Sequence, residues 1–429
     1  HLHRLGPLPH RSFRDLSEKY GPLMLLQMGF GPTVIVSSAE IAKQIMTTHD
    51  VIFANRPATT ASKAFLYGAK DIAFADYGEY WRQMRKICVV DLLSVKRVQS
   101  FSLIRGEGIA NMVNKIKQSC LMRKEVNLTE LIVSYTTNVI SRVALVWKIY
   151  MFPSLGWIDF LTGYAQNVKM VAKSMDHFLD EVIEDHLKSR NDNDDTRDFV
   201  DLLIKYQKDA TLGIEITREC IKAVILDMYV GGTDRTNATL EWAMAEIFNH
   251  PNVMEKLTKE VRRVVGNKSK VEENDVNQMD YLQCVIKETL RLHRPPTIIV
   301  PRIPSKSTTI EGYDIPAQTR VIINTWAIGR DPKIWDKPEE FIPERFIDKP
   351  VDLVGQDFDF IPFGGGRRKC PAILFATTSI GSVLANLLYW FNWELSGDAK
   401  ETSIDMTEAF GLTSHKKHPL CLIPKPNSF

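Results

Sequence analysis

The chain has 429 residues, 44% of them apolar, which is ample for a sizeable core, and length alone allows two or three domains. A net charge of +2 excludes a global electrostatic argument for nucleic acid or an acidic partner. Its six scattered cysteines (Cys88, Cys120, Cys220, Cys284, Cys370, Cys421) form no Cys-x-x-Cys pair and no zinc spacing, which argues against a disulfide framework and suits a reducing environment.

Phe13 to Tyr20 reads as a short helix stopped by Gly21-Pro22, followed by a hairpin of buried strands around a Gly-Phe-Gly-Pro turn. Ser38 caps an amphipathic helix through Met46. Ala58 to Phe74 is apolar and poorly periodic. On the next predicted helix, Tyr80 to Lys86, Trp81 and Arg85 stand at i, i+4 and share a face. Helical patterning resumes from Glu130 to Trp147 and again from Asn167 to Leu187. The charged run Lys188 to Asp198 reads as a solvated surface loop without function. From Thr217 to Asn249 the pattern is helical and largely apolar, as expected for a helix crossing a protein's centre, and it stops before His250-Pro251. At its middle stands Tyr229-Val-Gly-Gly-Thr-Asp-Arg-Thr-Asn237. Two adjacent helical glycines cost about 1 kcal/mol each relative to alanine, so something compensates: a ligand against the helix, a local kink, or a packing notch.

Glu288 and Arg291 lie at i, i+3 on a helix, a pair that ordinarily means a surface ion pair. Pro295 to Arg302 is extended and apolar, and Ile310 to Asn324 fits a short β-sheet. The most informative stretch is Phe360-Ile-Pro-Phe-Gly-Gly-Gly-Arg-Arg-Lys-Cys-Pro-Ala372. Three glycines let the backbone turn tightly and approach a flat object closely. An apolar helix begins just after Cys370, so unpaired N–H groups and the positive end of a dipole face its sulfur. Arg368, two residues earlier, can reach a carboxylate. A thiolate so placed suits an axial haem ligand. No apolar run approaches the length of a membrane span, and no signal peptide is visible at the opening His1-Leu-His.

Phe363-Gly-Gly-Gly-Arg-Arg-Lys-Cys-Pro-Ala372 resembles the haem-binding loop of the cytochrome P450 superfamily, Phe-x-x-Gly-x-Arg-x-Cys-x-Gly, with Ala372 replacing the last glycine. Resemblance extends in order over essentially the whole chain and is closest to plant microsomal A-type (family 71-like) enzymes, the oxidisers of terpenoids, coumarins and aldoximes. It implies a mostly α fold with a small β region and one catalytic domain over residues 1–429. It further implies haem b held through Cys370, with Arg368, Trp81, Arg85 and Arg302 at the propionates and Phe363 and Gly232 lining the cofactor. Electrons from NADPH would arrive through NADPH-cytochrome P450 reductase. Glu288, Arg291 and Arg345 of Pro343-Glu-Arg-Phe346 match the superfamily's buried scaffold triad. Thr297 to Val300 and Met406 to Thr413 would border the pocket. The implied reaction is oxygen-dependent monooxygenation of a small apolar plant metabolite by a monomer on the cytosolic face of the endoplasmic reticulum. The N-terminal anchor and proline-rich hinge of such enzymes are expected to precede His1.

Two departures qualify these expectations. The family's oxygen-activation pattern, Ala/Gly-Gly-x-Asp/Glu-Thr-Thr/Ser, is met by Gly231, Gly232, Thr233, Asp234 and Thr236. Arg235, however, stands where the family has a threonine for proton delivery. A guanidinium is long and always charged, so Asp234 with Thr236 and Thr233 would carry a weakened relay, and Thr236 could substitute only if the helix rotated or bulged. The second departure is a discontinuity near Tyr150-Met151, where related sequences carry roughly two more short helices that help cover the pocket. A haem-thiolate dehydratase or isomerase needing no oxygen, or a catalytically impaired truncated paralogue, are the rival expectations.

Overall fold

The computed structural model describes residues 5–29, 31–145, 164–189, 198–347, 351–395 and 403–427. The discontinuity near Tyr150 and most of the charged run after Lys188 lie outside them. The described chain is mostly helical with small sheets, and it divides into two compact units. One comprises His1–Ala54, Arg105–Tyr135 and Asp234–Phe429; the other comprises Asn55–Ile104 and Thr136–Thr233. The longest helix, Arg218–Asn249, contributes its first half to the second unit and its second half to the first.

In the first unit, strand Leu23–Met28 pairs antiparallel with Gly31–Val36, which pairs in parallel with Arg320–Ile323. The expected helix before this hairpin begins earlier, at Pro9, because the proline's fixed φ suits a first helical turn. Ser38 accepts the backbone N–H of Ile41 and caps the helix Ala39–Met46, as its sequence indicates. Val34, Val36, Ala42, Ile45, Met46, Phe53, Val321, Ile323, Phe358 and Ile361 form one buried apolar cluster. That cluster fixes the platform on which the Cys370 loop sits. The helix after the loop, Ile373–Trp390, is long and apolar enough to cross a membrane, contrary to the sequence expectation; two thirds of it is buried in protein, so burial in the core accounts for its composition.

The expected scaffold is present in the same unit. Glu288 and Arg291 are both 0% exposed and meet through two parallel N–H···O bonds of 2.7 and 2.8 Å. Arg345 donates to the same carboxylate at 3.0 Å, and the Ile342 amide adds a fourth bond at 2.8 Å. Arg291 also donates to the carbonyls of Gly329, Pro338 and Glu340, which ties the Pro343-Glu-Arg-Phe segment to the helix Asp280–Leu292. One buried carboxylate against two guanidiniums, with nearly every donor used, is the condition under which a buried ion pair holds.

In the second unit the segment before the helix Glu79–Ile87 is held through carboxylates. Asp71 accepts the amides of Ala73 and Phe74, while Asp227 of the long helix accepts those of Ile72 and Ala73. Asp198, at the end of the charged run, has a structural role that the sequence reading did not give it. It caps the helix Phe199–Gln207 through a reciprocal box with Asp201 and bonds the buried ring of His186 at 2.7 Å.

Candidate active site

Cys370 is positioned by a loop whose conformation is fixed from three sides. Its amide donates to the Phe363 carbonyl at 2.9 Å, closing the turn. Gly364 and Gly366 take φ of +73° and +65°, in the left-handed region that favours glycine. At Gly366 a Cβ would also lie 2.3 Å from the Met46 carbonyl and 2.6 Å from an Asp50 oxygen, so the loop rests directly on the end of the helix Ala39–Met46. The sulfur accepts the Ala372 N–H at 3.4 Å, just ahead of the helix Ile373–Trp390. A thiolate there takes up an amide that a capping side chain would otherwise satisfy. Ala372 itself has φ −101° and ψ 25°, a conformation open to any L-residue, so the departure from the family's glycine leaves the loop intact.

Two buried arginines flank this loop. Arg302 is aligned by an antiparallel bridge to Val321, and its Nη2 donates to the Gly365 carbonyl at 3.0 Å. Its Nη1 reaches Asp50 at 3.3 Å and the Phe53 carbonyl at 3.4 Å. Arg368 donates through Nε to the Ala54 carbonyl at 2.7 Å. Asp50 receives both Arg302 and the Arg367 amide at 2.9 Å, and so ties the arginine to the loop. Sequence reasoning missed Asp50: an aspartate after a helix carries no motif, and its partners stand more than 250 positions away. Burial pushes the Arg302 guanidinium below its usual range, opposed by Asp50.

The remaining sequence-predicted residues are placed as follows. On the helix Glu79–Ile87, Arg85 lies over the Trp81 ring at 5.9 Å, so the shared face is real. The Trp81 indole N–H donates to the Ile72 carbonyl at 2.9 Å. That contact ties this helix to the segment before it. At Gly232 a Cβ would lie 2.4 Å from Ile140 Cδ1, so this glycine admits a packing neighbour, whereas the space beside Gly231 is open to 4 Å. Thr233 bonds back to the Tyr229 carbonyl at 2.8 Å. Asp234 accepts a hydrogen bond from Thr413, and Thr236 is buried. The helix runs unbroken from Arg218 to Asn249 with no bulge, so the condition for Thr236 to take the place of residue 235 is not met, and the two stay about 100° apart around the axis.

The donor set fits haem. Arg302 Nε is buried without a partner, Arg302 and Arg368 are both buried beside the loop, and Asp50 is the carboxylate that answers Arg302. A group carrying carboxylates would occupy that orphaned donor. The glycine loop and its sulfur supply the ligand.

A helical fold with small sheets and one cysteine on an arginine-flanked glycine loop ahead of a helix defines a haem-thiolate protein. The family model for cytochrome P450 matches residues 1–150 and 144–422, and the chain belongs to that family. The match breaks in two where the sequence reading puts the discontinuity. The chain is 51% identical over 455 aligned positions to cytochrome P450 71A1 of Persea americana, covering 99% of this chain and 91% of the relative. It is 46% identical to the phenylacetaldehyde oxime monooxygenase CYP71AN24 of Prunus mume (100% and 87% covered) and 42% identical to psoralen synthase of Ammi majus (99% and 90%). Both the avocado and Prunus alignments are longer than the 429-residue chain itself, as expected if a piece is missing inside it. Among solved structures, a zebrafish cytochrome P450 with abiraterone superposes with a TM-score of 0.84 at 26% identity, covering 99% of this chain and all of that one. The protein is therefore a haem-dependent oxidoreductase of the monooxygenase class, using haem b and electrons from NADPH through a reductase.

Proposed function

We propose that this enzyme oxidises a small apolar plant secondary metabolite of the terpenoid, coumarin or aldoxime class. The observation that carries the reading is the Cys370 loop, closed by the Phe363 carbonyl and seated on Met46 and Asp50. Relatives named for an aldoxime and for psoralen support the substrate class. Haem, when bound, supplies the oxidising chemistry. The chain's own residues do the rest. Cys370 would be the iron ligand, its sulfur steadied by the Ala372 amide. Arg302 and Arg368 would hold propionate oxygens and Arg85 another, with Trp81 packed under Arg85. Gly231, with open space beside it, is the glycine at which a ligand comes close. Asp234 is the proton donor on the long helix, and Thr233 and Thr236 support that turn. The enzyme works as a monomer with NADPH-cytochrome P450 reductase at the cytosolic face of the endoplasmic reticulum.

Arg235 decides how well that proton delivery operates. It is half-buried, and no carboxylate among the described residues pairs with it. A permanent cation beside Asp234 disfavours proton entry. With reductase and a panel of an aldoxime, a coumarin and a monoterpene, Arg235→Thr should raise the product formed per NADPH consumed several-fold. Unchanged coupling would overturn this role, and turnover without NADPH would show an isomerase or dehydratase instead.

A further inference from the structure

The segment from Ile404 to Ser414 lies along the C-terminal half of the long helix and is fastened to it at three points. Asn249 brackets the Ile404 backbone, accepting its N–H at 2.7 Å and donating to its carbonyl at 3.1 Å. The Trp242 indole donates to the Ser414 carbonyl at 3.1 Å. The third point joins side chain to side chain: the Thr413 hydroxyl donates to the Asp234 carboxylate. Thr413 is buried, so water does not compete for this bond. The hairpin Glu408–Ala409 with His415–Lys416 is held on its other leg, where Glu408 accepts from Arg11 at 2.5 Å and from Ser414 at 3.0 Å and meets the His10 ring at 3.1 Å. Between the fixed legs the tip presents Phe410 and Leu412, 43% and 67% exposed.

We infer that Thr413 is a positioning residue that holds Asp234 on the oxygen-activation turn. This rests on the reading of Asp234 as proton donor.

The test uses the haem-loaded protein and Thr413→Val, Thr413→Ser and Asp234→Asn variants, with haem content matched. Hydrogen–deuterium exchange of residues 231–238, without turnover, reads the contact itself. Loss of one hydrogen bond to a carboxylate should speed exchange about 10-fold in Thr413→Val, and Thr413→Ser should restore it. The solvent isotope effect on peroxide release, driven by NADPH and reductase from molecular oxygen, reads its consequence: Thr413→Val should change it, Thr413→Ser should not, and Thr413→Val should add nothing in an Asp234→Asn background. Unchanged exchange in Thr413→Val, or a serine variant behaving like valine, would overturn the positioning role. An isotope effect untouched by Asp234→Asn, with exchange still altered by Thr413→Val, would instead overturn Asp234 as the donor and leave the contact standing.

Discussion

Both compact units place buried carboxylates against loops, but they balance the charge in opposite ways. In the first, Glu288 faces Arg291 and Arg345 and accepts four hydrogen bonds, so its charge is answered twice. In the second, Asp71 and Asp227 face one another across the segment Ile72–Phe74, with amides as donors and no cation between them among the described residues. Asp71 Oδ1 is buried without an N–H partner, so the pair is satisfied only when one carboxyl carries a proton. Burial raises both groups above the usual carboxylate range, most strongly Asp227, where the charge of Asp71 adds to it. The lesson is that the first unit answers its buried scaffold carboxylate with fixed cations, whereas the second holds the segment preceding the Trp81 helix with a carboxyl pair whose burial favours a shared proton.

The largest effect expected from this contrast is in the first unit. Glu288→Ala leaves the buried Arg291 and the half-buried Arg345 without a carboxylate and should cost about 3–5 kcal/mol, read as a fall in the midpoint of denaturant unfolding. If Glu288→Ala melted like wild type, the compensated network would not be the scaffold described above. A smaller change of opposite sign is expected in the second unit. Asp227→Asn mimics the protonated acid, accepting the Ile72 and Ala73 amides while donating to Asp71, and should stabilise the protein by about 1–2 kcal/mol at pH 7. The sign follows from linkage: a carboxyl raised in the folded state contributes its full stability below the unfolded carboxylate range and loses it as pH climbs through the raised value. The gap between Asp227→Asn and wild type should therefore widen from acid to neutral pH in thermal melts. A gap that narrowed would mean that both carboxylates are ionised and answered by something else.

The same contrast explains what could be read from the sequence. The Cys370 loop was legible because its residue types are constrained at short spacing by one chemistry, and the short strands from apolar runs broken at Gly21-Pro22 and Gly29 to Pro32; the Glu288–Arg291–Arg345 set was legible only through the family resemblance, because Arg345 stands 57 positions from its carboxylate. Asp50 and Thr413 were not legible as partners: each acts on a residue far along the chain, and no local pattern marks an aspartate or threonine for that work. Gly232 and Trp81 carry a related ambiguity. A glycine that admits a neighbouring Ile140 and one that admits a ligand look the same in sequence, as do an indole N–H given to a carbonyl and one given to a propionate. Ala372 looked like a departure until its φ showed that no left-handed conformation is needed there.

The central claim, that Cys370 binds haem iron as a thiolate, is tested most directly by the reduced carbon monoxide difference spectrum of the haem-loaded protein. The geometry of the loop predicts the strongly red-shifted Soret band of a thiolate-ligated ferrous haem. A band characteristic of histidine or neutral-thiol ligation, or failure to take up haem at all, would contradict it.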